Sequence, residues 1–334
     1  MPSPQVFKFK KFSLTQEHSA LHIGTDAVLL GCSVNLSRTI IESGKPESIR
    51  ILDIGTGCGI ILLMLAQKAV EAGYTRIELT GIDIDSGSIS DASTNAELFA
   101  ESFGFAREKS VSTGDSSNDS SYIKTAGVLD CSQSDSDENC PEITARLDIH
   151  LNCIPLQDYA RTCQRQYDLI VSNPPFFINS LKSSSNGKKI AKHNDTLPQK
   201  DLAAGVRKLL APNGSFHLIL PPNEAQCFIK LCCSRQKLSN KECSAVNGNL
   251  TIKSTTAFKT TAAKPAKRWV LHFQKVPQDE CTITVENGEN RELEKREMVM
   301  MRSNKDGKGP DTTCSKKEAF TEEYLLFVKD FLLY

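Results

Sequence analysis

The sequence lacks a net charge, a long apolar run and any Cys-x-x-Cys pair. Its 40 basic and 40 acidic residues cancel, so binding to a polyanion must come from local clusters of charge. No apolar stretch reaches the roughly 20 residues that a membrane-spanning helix needs. The twelve cysteines are scattered, which indicates neither a zinc site nor a disulfide framework. We therefore expect reduced thiols, no bound metal and no membrane partner.

The first residues of the chain lack the apolar core of a signal peptide. Instead, aromatic and basic residues alternate over residues 7–14, which is typical of a half-buried strand. We therefore expect an intracellular, cytoplasmic protein.

Two stretches lack the regular spacing of apolar residues that helices and strands show. Residues 107–145 are rich in Ser, Asp and Asn, and they offer too little apolar surface to offset the entropy lost on ordering. We predict a disordered insertion there, and an irregular charged insertion over residues 287–317. The remaining strand and helix patterns predict a single domain over residues 1–334.

A glycine-rich segment follows the first buried strand. Residues 49–54 form that strand, and the segment Gly55-Thr56-Gly57-Cys58-Gly59 leads into an apolar helix over residues 60–70. The glycines permit a tight turn, and the start of the helix offers free N–H groups to a ligand. Asp53 at the strand end would repel a pyrophosphate but can meet an ammonium group. We therefore infer a ligand that carries an amino acid, rather than a dinucleotide.

A second acidic residue, Asp83, ends the next strand, over residues 76–82. A carboxylate at this position is well placed to accept hydrogen bonds from both hydroxyls of a ribose. Alternatively, Asp83 caps the helix predicted over residues 86–99, although Asp85 can fill that role instead.

A short buried strand over residues 167–172 ends in the segment Asn173-Pro174-Pro175-Phe176-Phe177. Prolines cannot donate a ladder hydrogen bond, so they stop the strand. The Asn173 side chain and the Pro174 carbonyl then remain as acceptors, with the Phe176 ring beside them. This arrangement suits a planar amino group on a ring, such as the exocyclic amine of adenine. The alternative is a Pro-Pro turn with two core phenylalanines.

A basic loop follows this segment. Residues 178–193 contain no acidic residue, and a flexible basic loop beside an acceptor pair suits a polyanionic substrate. The alternative is a mobile surface loop. The lysines that we expect to contact the substrate are Lys182, Lys188, Lys189 and Lys192.

The alternation of strands and helices predicts an α/β fold: a doubly wound, mostly parallel seven-stranded sheet with an antiparallel last strand. The predicted strands cover residues 49–54, 76–82, 147–151, 167–172, 214–220, 250–258 and 268–273. The last two are expected to pair antiparallel. Ligands of such sheets bind at the carboxyl ends of the strands.

The fold pattern and the motifs resemble class I S-adenosylmethionine-dependent methyltransferases. The order of the motifs more closely resembles the tRNA(Val) adenine-37 N6-methyltransferase family. The segments that carry the resemblance are residues 7–12, Ile23-Gly24-Thr25-Asp26-Ala27-Val28-Leu29-Leu30-Gly31, Asp53-Ile54-Gly55-Thr56-Gly57, Ser172-Asn173-Pro174-Pro175-Phe176-Phe177, Lys264-Pro265-Ala266-Lys267-Arg268 and residues 324–334.

The resemblance implies methylation of the exocyclic amine of the adenine beside the tRNA anticodon, with S-adenosylmethionine as cofactor and tRNA as partner. We expect a monomer. The residues implied to hold the cofactor are Asp53, Gly55, Gly57 and Gly59 at its methionine end, Asp83 at its ribose, Thr25 and Asp26 closing the site, and Asp158 at its adenine. The residues implied to hold the target adenine are Asn173, Pro174 and Phe176, with Pro175 and Phe177 beside them.

The motifs leave other functions open. Asn-Pro-Pro-aromatic also occurs in rRNA adenine, DNA adenine and protein glutamine methyltransferases. A protein of this fold can also bind RNA without catalysis. A dinucleotide-dependent oxidoreductase is disfavoured, because Asp53 stands at the glycine turn and no hydride-transfer residues are evident.

Overall fold

The computed structural model describes residues 5–19, 23–36, 48–107, 120–129, 143–175, 197–233, 249–276, 293–303 and 318–332. The chain divides into two compact units, Met1–Pro155 together with Leu325–Tyr334, and Leu156–Tyr324. The prediction of a single domain over residues 1–334 stays a prediction. Within the described residues, no helix has the length and apolar character to cross a membrane.

The first unit builds parallel strands around a glycine-rich turn. Its strands β3, β4 and β7 are parallel neighbours in that order, and β6 and β5 continue the sheet with antiparallel pairing. A separate hairpin pairs β1 with β2. The elements are β1 Gln5–Lys8, β2 Ser13–Gln16, α1 Thr25–Ser33, β3 Ser48–Ile54, α2 Ile60–Glu71, β4 Arg76–Asp83, α3 Ser86–Ser102, β5 Ala106–Arg107, β6 Ser120–Leu129 and β7 Ile143–Cys153.

The second unit orders its strands β8-β9-β11-β10-β12. Strands β8 and β9 are parallel, β11 is antiparallel to both β9 and β10, and β12 is parallel to β10. The remaining elements are α4 Leu156–Thr162, β8 Tyr167–Ser172, α5 Gln199–Leu209, β9 Leu210–Leu220, α6 Pro222–Cys233, β10 Asn249–Lys259, β11 Arg268–Val276, β12 Glu294–Val299 and α7 Glu322–Val328.

The predicted α/β class, the largely parallel strands and the antiparallel pair β10–β11 are confirmed. The parallel strands were recognisable because they are buried on both faces and therefore read as continuous apolar runs. In β3, for example, Ile51 and Leu52 are completely buried. The seven predicted strands correspond to β3, β4, β7, β8, β9, β10 and β11.

The prediction of disorder over residues 107–145 is wrong for Ser120–Leu129, which pairs with β7 along its whole length. It is also wrong at its two ends, because residue 107 belongs to β5 and residues 143–145 belong to β7. The ladder satisfies the backbone of Ser120–Leu129 whatever its side chains are, and Ile123 is buried in the core. Thr125 is buried and donates from its hydroxyl to the Leu147 carbonyl at 3.0 Å. Residues 108–119 and 130–142 lie outside the described residues.

The prediction of an irregular segment over residues 287–317 is also wrong in part. Glu294–Val299 forms β12, which pairs in parallel with β10. Its side chains are mostly exposed, so the strand depends on backbone pairing and shows no apolar pattern. Residues 287–292 and 304–317 lie outside the described residues.

The single strand predicted over residues 7–14 is instead a hairpin. The Phe9 N–H donates to the Phe12 carbonyl at 2.9 Å, and the two buried rings stack with centroids 4.6 Å apart. Alternation of Phe and Lys is common to one long strand and to two short ones, so the pattern did not locate the turn.

Candidate functional site

The glycine turn between β3 and α2 has a backbone that only glycine adopts easily. Gly55, Gly57 and Gly59 have φ values of 74°, 54° and 85°, in the left-handed region that side chains rarely occupy. A Cβ at Gly55 or Gly57 would meet nothing within 4 Å, whereas one at Gly59 would touch Ala92 at 3.4 Å. The first two glycines therefore leave the surface of the turn open, and the third permits close packing against α3.

Asp53 ends β3 beneath this turn. Its side chain is completely buried, and its Oδ2 accepts a hydrogen bond from the Thr56 hydroxyl at 3.0 Å. Its Oδ1 has no hydrogen-bond partner within the described residues. Burial and, to a smaller extent, the nearby Asp83 charge raise the pKa of Asp53 to about 7, against the opposing effect of the Thr56 hydrogen bond. A buried carboxylate oxygen without a donor is costly, so this position suits a ligand that brings a cationic donor.

Asp83 connects the end of β4 to the same turn. Its Oδ2 accepts from the Gly57 N–H at 2.9 Å, and its Oδ1 accepts from the Asp85 N–H at 3.0 Å. Burial raises the pKa of the Asp83 carboxyl, although these hydrogen bonds partly oppose the shift. Each carboxylate oxygen keeps acceptor capacity for a further donor.

The alternative role of Asp83 as a helix cap is wrong, because Asp85 caps α3. The Asp85 Oδ2 accepts from the Ser88 N–H and from the Ser88 hydroxyl, both at 2.8 Å. Ile84, between the two acids, is 51% exposed. This apolar surface beside Asp83 was not singled out from the sequence, where an isoleucine at a strand end reads as core.

Two buried polar residues of α3 fasten the N-terminal segment beside the glycine turn. The Asp91 carboxylate accepts from the backbone N–H groups of Glu17, His18 and Ser19 at 2.8–3.1 Å, and from the Ser19 hydroxyl at 2.6 Å. Asn95 is completely buried. Its amide group donates to the carbonyls of Thr15 and Cys58, both at 2.9 Å.

The contacts of Asp91 and Asn95 with the N-terminal segment escape sequence reasoning because they join residues that lie about seventy to eighty positions apart. Partial burial raises the pKa of Asp91, but the hydrogen bonds from Ser19 and His18 outweigh it and hold that pKa below its usual value.

The second unit presents Asn173 and Pro174 at the carboxyl end of β8. Ser172 and Pro174 are buried, and Asn173 and Pro175 are half-buried. Within the described residues, neither the Asn173 side chain nor the Pro174 carbonyl makes a hydrogen bond. Both groups therefore remain available as acceptors.

A small cavity lies behind the two prolines. Its volume is about 20 Å³, which is room for a single water molecule. A purine ring cannot enter this cavity, and Asn173 does not line it. The lining residues are Pro174, Pro175, Leu197, Gln199, Leu202, Leu220, Glu224 and Phe228.

The other predicted site residues show no contact that bears on their predicted roles, or they lie outside the described residues. Thr25 is exposed and Asp26 is half-buried at the start of α1. Gly24 occupies the N-cap position, and the helical backbone begins at Thr25. Asp158 lies in the first turn of α4 and forms an ion pair with Arg161. The residues outside the described ranges are Phe176, Phe177, Lys182, Lys188, Lys189 and Lys192.

The structure thus joins Asp53, the glycine turn and Asp83 through direct hydrogen bonds in the first unit. In the second unit it leaves the Asn173 side chain and the Pro174 carbonyl without a hydrogen-bond partner among the described residues. The roles predicted for these residues stay predictions. Across the described ranges, no cluster of three or more His, Cys, Asp or Glu residues could hold a metal ion.

Comparison with known proteins relates the chain to RNA-modifying enzymes. No family model matches it. A tRNA1(Val) (adenine(37)-N6)-methyltransferase from Christiangramia forsetii is 32% identical over 287 residues, which cover 85% of this chain and 91% of the relative. The protein of the same name from Parabacteroides distasonis is 33% identical over 225 residues, covering 67% and 70%.

 A solved structure of a 16S rRNA N2 G1207 methyltransferase from Thermus thermophilus, in complex with AdoMet and guanosine, resembles this chain only loosely. The Thermus thermophilus structure is 16% identical to this chain, covers 82% of this chain and 50% of its own length, and has a TM-score of 0.41. The relatives from C. forsetii and P. distasonis exceed 30% identity over most of their length. The chain therefore belongs to the tRNA1(Val) (adenine(37)-N6)-methyltransferase family.

Proposed function

We propose that the protein transfers a methyl group from S-adenosylmethionine to the exocyclic N6 amine of an adenine in tRNA, at position 37 of the anticodon loop. The relatives named above carry this activity in their names. The observation that carries the proposal is the pair of acceptors at the end of β8, the Asn173 side chain and the Pro174 carbonyl, which have no hydrogen-bond partner within the described residues.

The residues of the glycine turn fit the cofactor. The buried Asp53 Oδ1 lacks a donor within the described residues, and the ammonium group of a methionine moiety would supply one. Gly55 and Gly57 leave the turn open to close approach by a ligand, and Asp83 keeps acceptor capacity for ribose hydroxyls. We propose these roles for Asp53, the three glycines and Asp83, and weaker contacts for Thr25, Asp26 and Asp158.

S-adenosylmethionine supplies a methyl group on a sulfonium, which carries its own leaving group. The chain must then bring the amine into line and make its nitrogen a better nucleophile. The lone pair of an adenine amine is spread into the ring. By accepting both amine hydrogens, Asn173 and Pro174 would draw the nitrogen toward tetrahedral geometry and localise that lone pair. Neither acceptor is a base near neutral pH, so the proton released on transfer passes to water.

The substrate must present its adenine outside a base stack. This costs little in an anticodon loop, where bases are already partly unstacked. We propose that Phe176 stacks on the base, a contact worth about 1–3 kcal/mol, with Pro175 and Phe177 beside it. Lys182, Lys188, Lys189 and Lys192 would contact phosphates. Because tRNA is a cytoplasmic substrate, we also propose that the protein acts in the cytoplasm, as a monomer.

The experiment that tests the proposal is nucleoside mass spectrometry after incubation with methyl-labelled S-adenosylmethionine. The purified protein is offered tRNA, rRNA, duplex DNA and a protein extract in separate reactions. We expect labelled N6-methyladenosine in tRNA. Label in rRNA, in DNA or on glutamine, without label in tRNA, would identify another amino-group methyltransferase. Cofactor binding without transfer to any of these would identify a non-catalytic RNA-binding protein.

A further inference from the structure

The turn between β10 and β11, residues 260–267, is a fixed basic surface. The Lys267 N–H donates to the Phe258 carbonyl at 2.9 Å, and the Lys264 N–H donates to the Thr261 carbonyl at 3.1 Å. Phe258 and Thr261 are completely buried. The turn is therefore closed at its base and anchored in the second unit, so its side chains project from a defined backbone.

Strand directions place this turn at the same edge of the second unit as Asn173. Strand β9 is parallel to β8, β11 is antiparallel to β9, and β10 is antiparallel to β11. The carboxyl ends of β8 and β10 therefore face the same edge. Only β9 and β11 separate them, and neighbouring strands lie about 4.8 Å apart. The turn consequently lies roughly 10 to 15 Å along the edge from the Asn173 acceptor.

The turn carries positive charge that has no acidic partner. Lys267 is exposed and Lys264 is half-exposed, and neither forms an ion pair within the described residues. Glu297, on the neighbouring strand β12, is paired with Lys259 at 2.6 Å. From residue 260 to residue 274 the sequence contains no Asp or Glu.

We propose that Lys264 and Lys267 bind phosphates of the tRNA backbone and position the anticodon loop against Asn173. This inference rests on the proposed function. A distance of 10 to 15 Å spans about two to three nucleotides of an RNA strand, given the roughly 6 Å between successive phosphates, so the turn contacts the nucleotides next to the target. Because the turn is fixed before binding, little ordering entropy opposes these contacts. Phosphate contacts of this kind set register and orientation, not base identity.

The test compares the variant Lys264→Ala/Lys267→Ala with the control Arg165→Ala/Lys208→Ala. Arg165 and Lys208 are exposed and precede β8 and β9, so the control removes two positive charges at the opposite edge. Affinity for tRNA is measured over a series of salt concentrations. We expect the first variant to bind tRNA about tenfold more weakly than the wild type at 0.15 M salt. The slope of log Kd against log salt concentration should be smaller than that of the wild type by about 1 to 2 units.

Three further measurements separate this role from loss of folding. The variant should keep the thermal midpoint and S-adenosylmethionine affinity of the wild type, with a raised KM for tRNA and an unchanged kcat at saturating tRNA. Lys264→Arg/Lys267→Arg retains both charges and should restore tRNA affinity. If the Arg variant binds as weakly as the Ala variant, charge is not the cause and the inference is overturned.

The outcomes also distinguish this inference from the proposed function. If the wild type methylates tRNA, but the Ala variant and the control have equal affinity and salt slope, only the inference is overturned. If the wild type neither binds nor methylates tRNA, the proposed function fails and the inference fails with it.

Discussion

At the scale of single residues, Asp53 combines two properties that oppose each other. Complete burial disfavours its charged form, yet the proposed cofactor role needs a carboxylate. Its folded pKa of about 7 lies above the unfolded value near 4. The folded protein therefore binds more protons between these values, and the contribution of Asp53 to stability falls as pH rises from 4 to 7.

We predict that Asp53→Asn stabilises the ligand-free protein at pH 8 and weakens cofactor binding. Replacing the buried carboxylate by a neutral amide removes a desolvation cost of at most about 4 kcal/mol. Thermal unfolding with and without S-adenosylmethionine measures both effects. Cofactor affinity of the wild type should increase as pH rises through 7, and the variant should lose this dependence.

The control for this prediction is Glu101→Gln, which alters an exposed carboxylate on α3. It should change neither stability nor cofactor affinity. A variant Asp53→Asn that is less stable than the wild type at pH 8, and that binds the cofactor equally well, would contradict the role given to Asp53.

Asn173 carries the second prediction at this scale. Asn173→Ala removes one of the two acceptors for the amine, so we expect at least a hundredfold loss of transfer while cofactor affinity changes by less than twofold. Transfer is measured by mass spectrometry of tRNA nucleosides and cofactor affinity by calorimetry. Asn223→Ala, an exposed position on α6, is the matched control. Equal loss of transfer and of cofactor affinity would count against the role of Asn173.

At the scale of elements, α3 holds the N-terminal segment through Asp91. The carboxylate accepts from three consecutive backbone N–H groups and from the Ser19 hydroxyl. The N-terminal segment also packs closely against Gly87 of α3, because a Cβ there would lie 2.5 Å from the His18 carbonyl oxygen. Residues 17–19 are thereby fixed against α3.

We predict that Asp91→Ala destabilises the protein by about 3 kcal/mol at pH 7, because it leaves backbone N–H groups without their charged acceptor. The folded pKa of Asp91 is lowered, so its stabilisation is present above the unfolded value near 4 and is lost as pH falls through the folded pKa. Urea unfolding at pH 7 and at low pH measures this. The difference in the free energy of unfolding between variant and wild type should be smaller at low pH than at pH 7. An equal difference at both pH values would contradict the prediction.

Sequence patterns located some elements well and others poorly, for physical reasons. Strand β8 was recognisable because Leu169, Ile170 and Val171 are buried on both faces. Strand β12 was missed because its mostly exposed side chains show no apolar pattern, and its backbone pairs with β10. Strand β6 was missed because polar residues such as Ser120, Ser121 and Thr125 interrupt its apolar ones. Asp91 and Asn95 on α3 likewise read as ordinary polar residues until the fold brings the N-terminal segment to them.

At the scale of the whole molecule, the motifs that could be predicted are those in which the backbone conformation requires a particular residue type. Positive φ values require Gly55 and Gly57, and two prolines end β8 whatever the surroundings. The position of the Lys264–Lys267 surface could not be predicted, since it depends on the directions of four strands. Family membership joins these parts into one account: methyl transfer to an adenine amine in tRNA.

That claim is tested most directly with two transcripts of the same tRNA, one with adenine and one with guanine at position 37. Each is incubated with the protein and S-adenosylmethionine, and fragmentation mass spectrometry locates the added methyl group. The account predicts one methyl group on N6 of adenine 37, none on the guanine transcript, and none with Asn173→Ala. Equal methylation of both transcripts, or a methyl group on a ring nitrogen or another nucleotide, would contradict it.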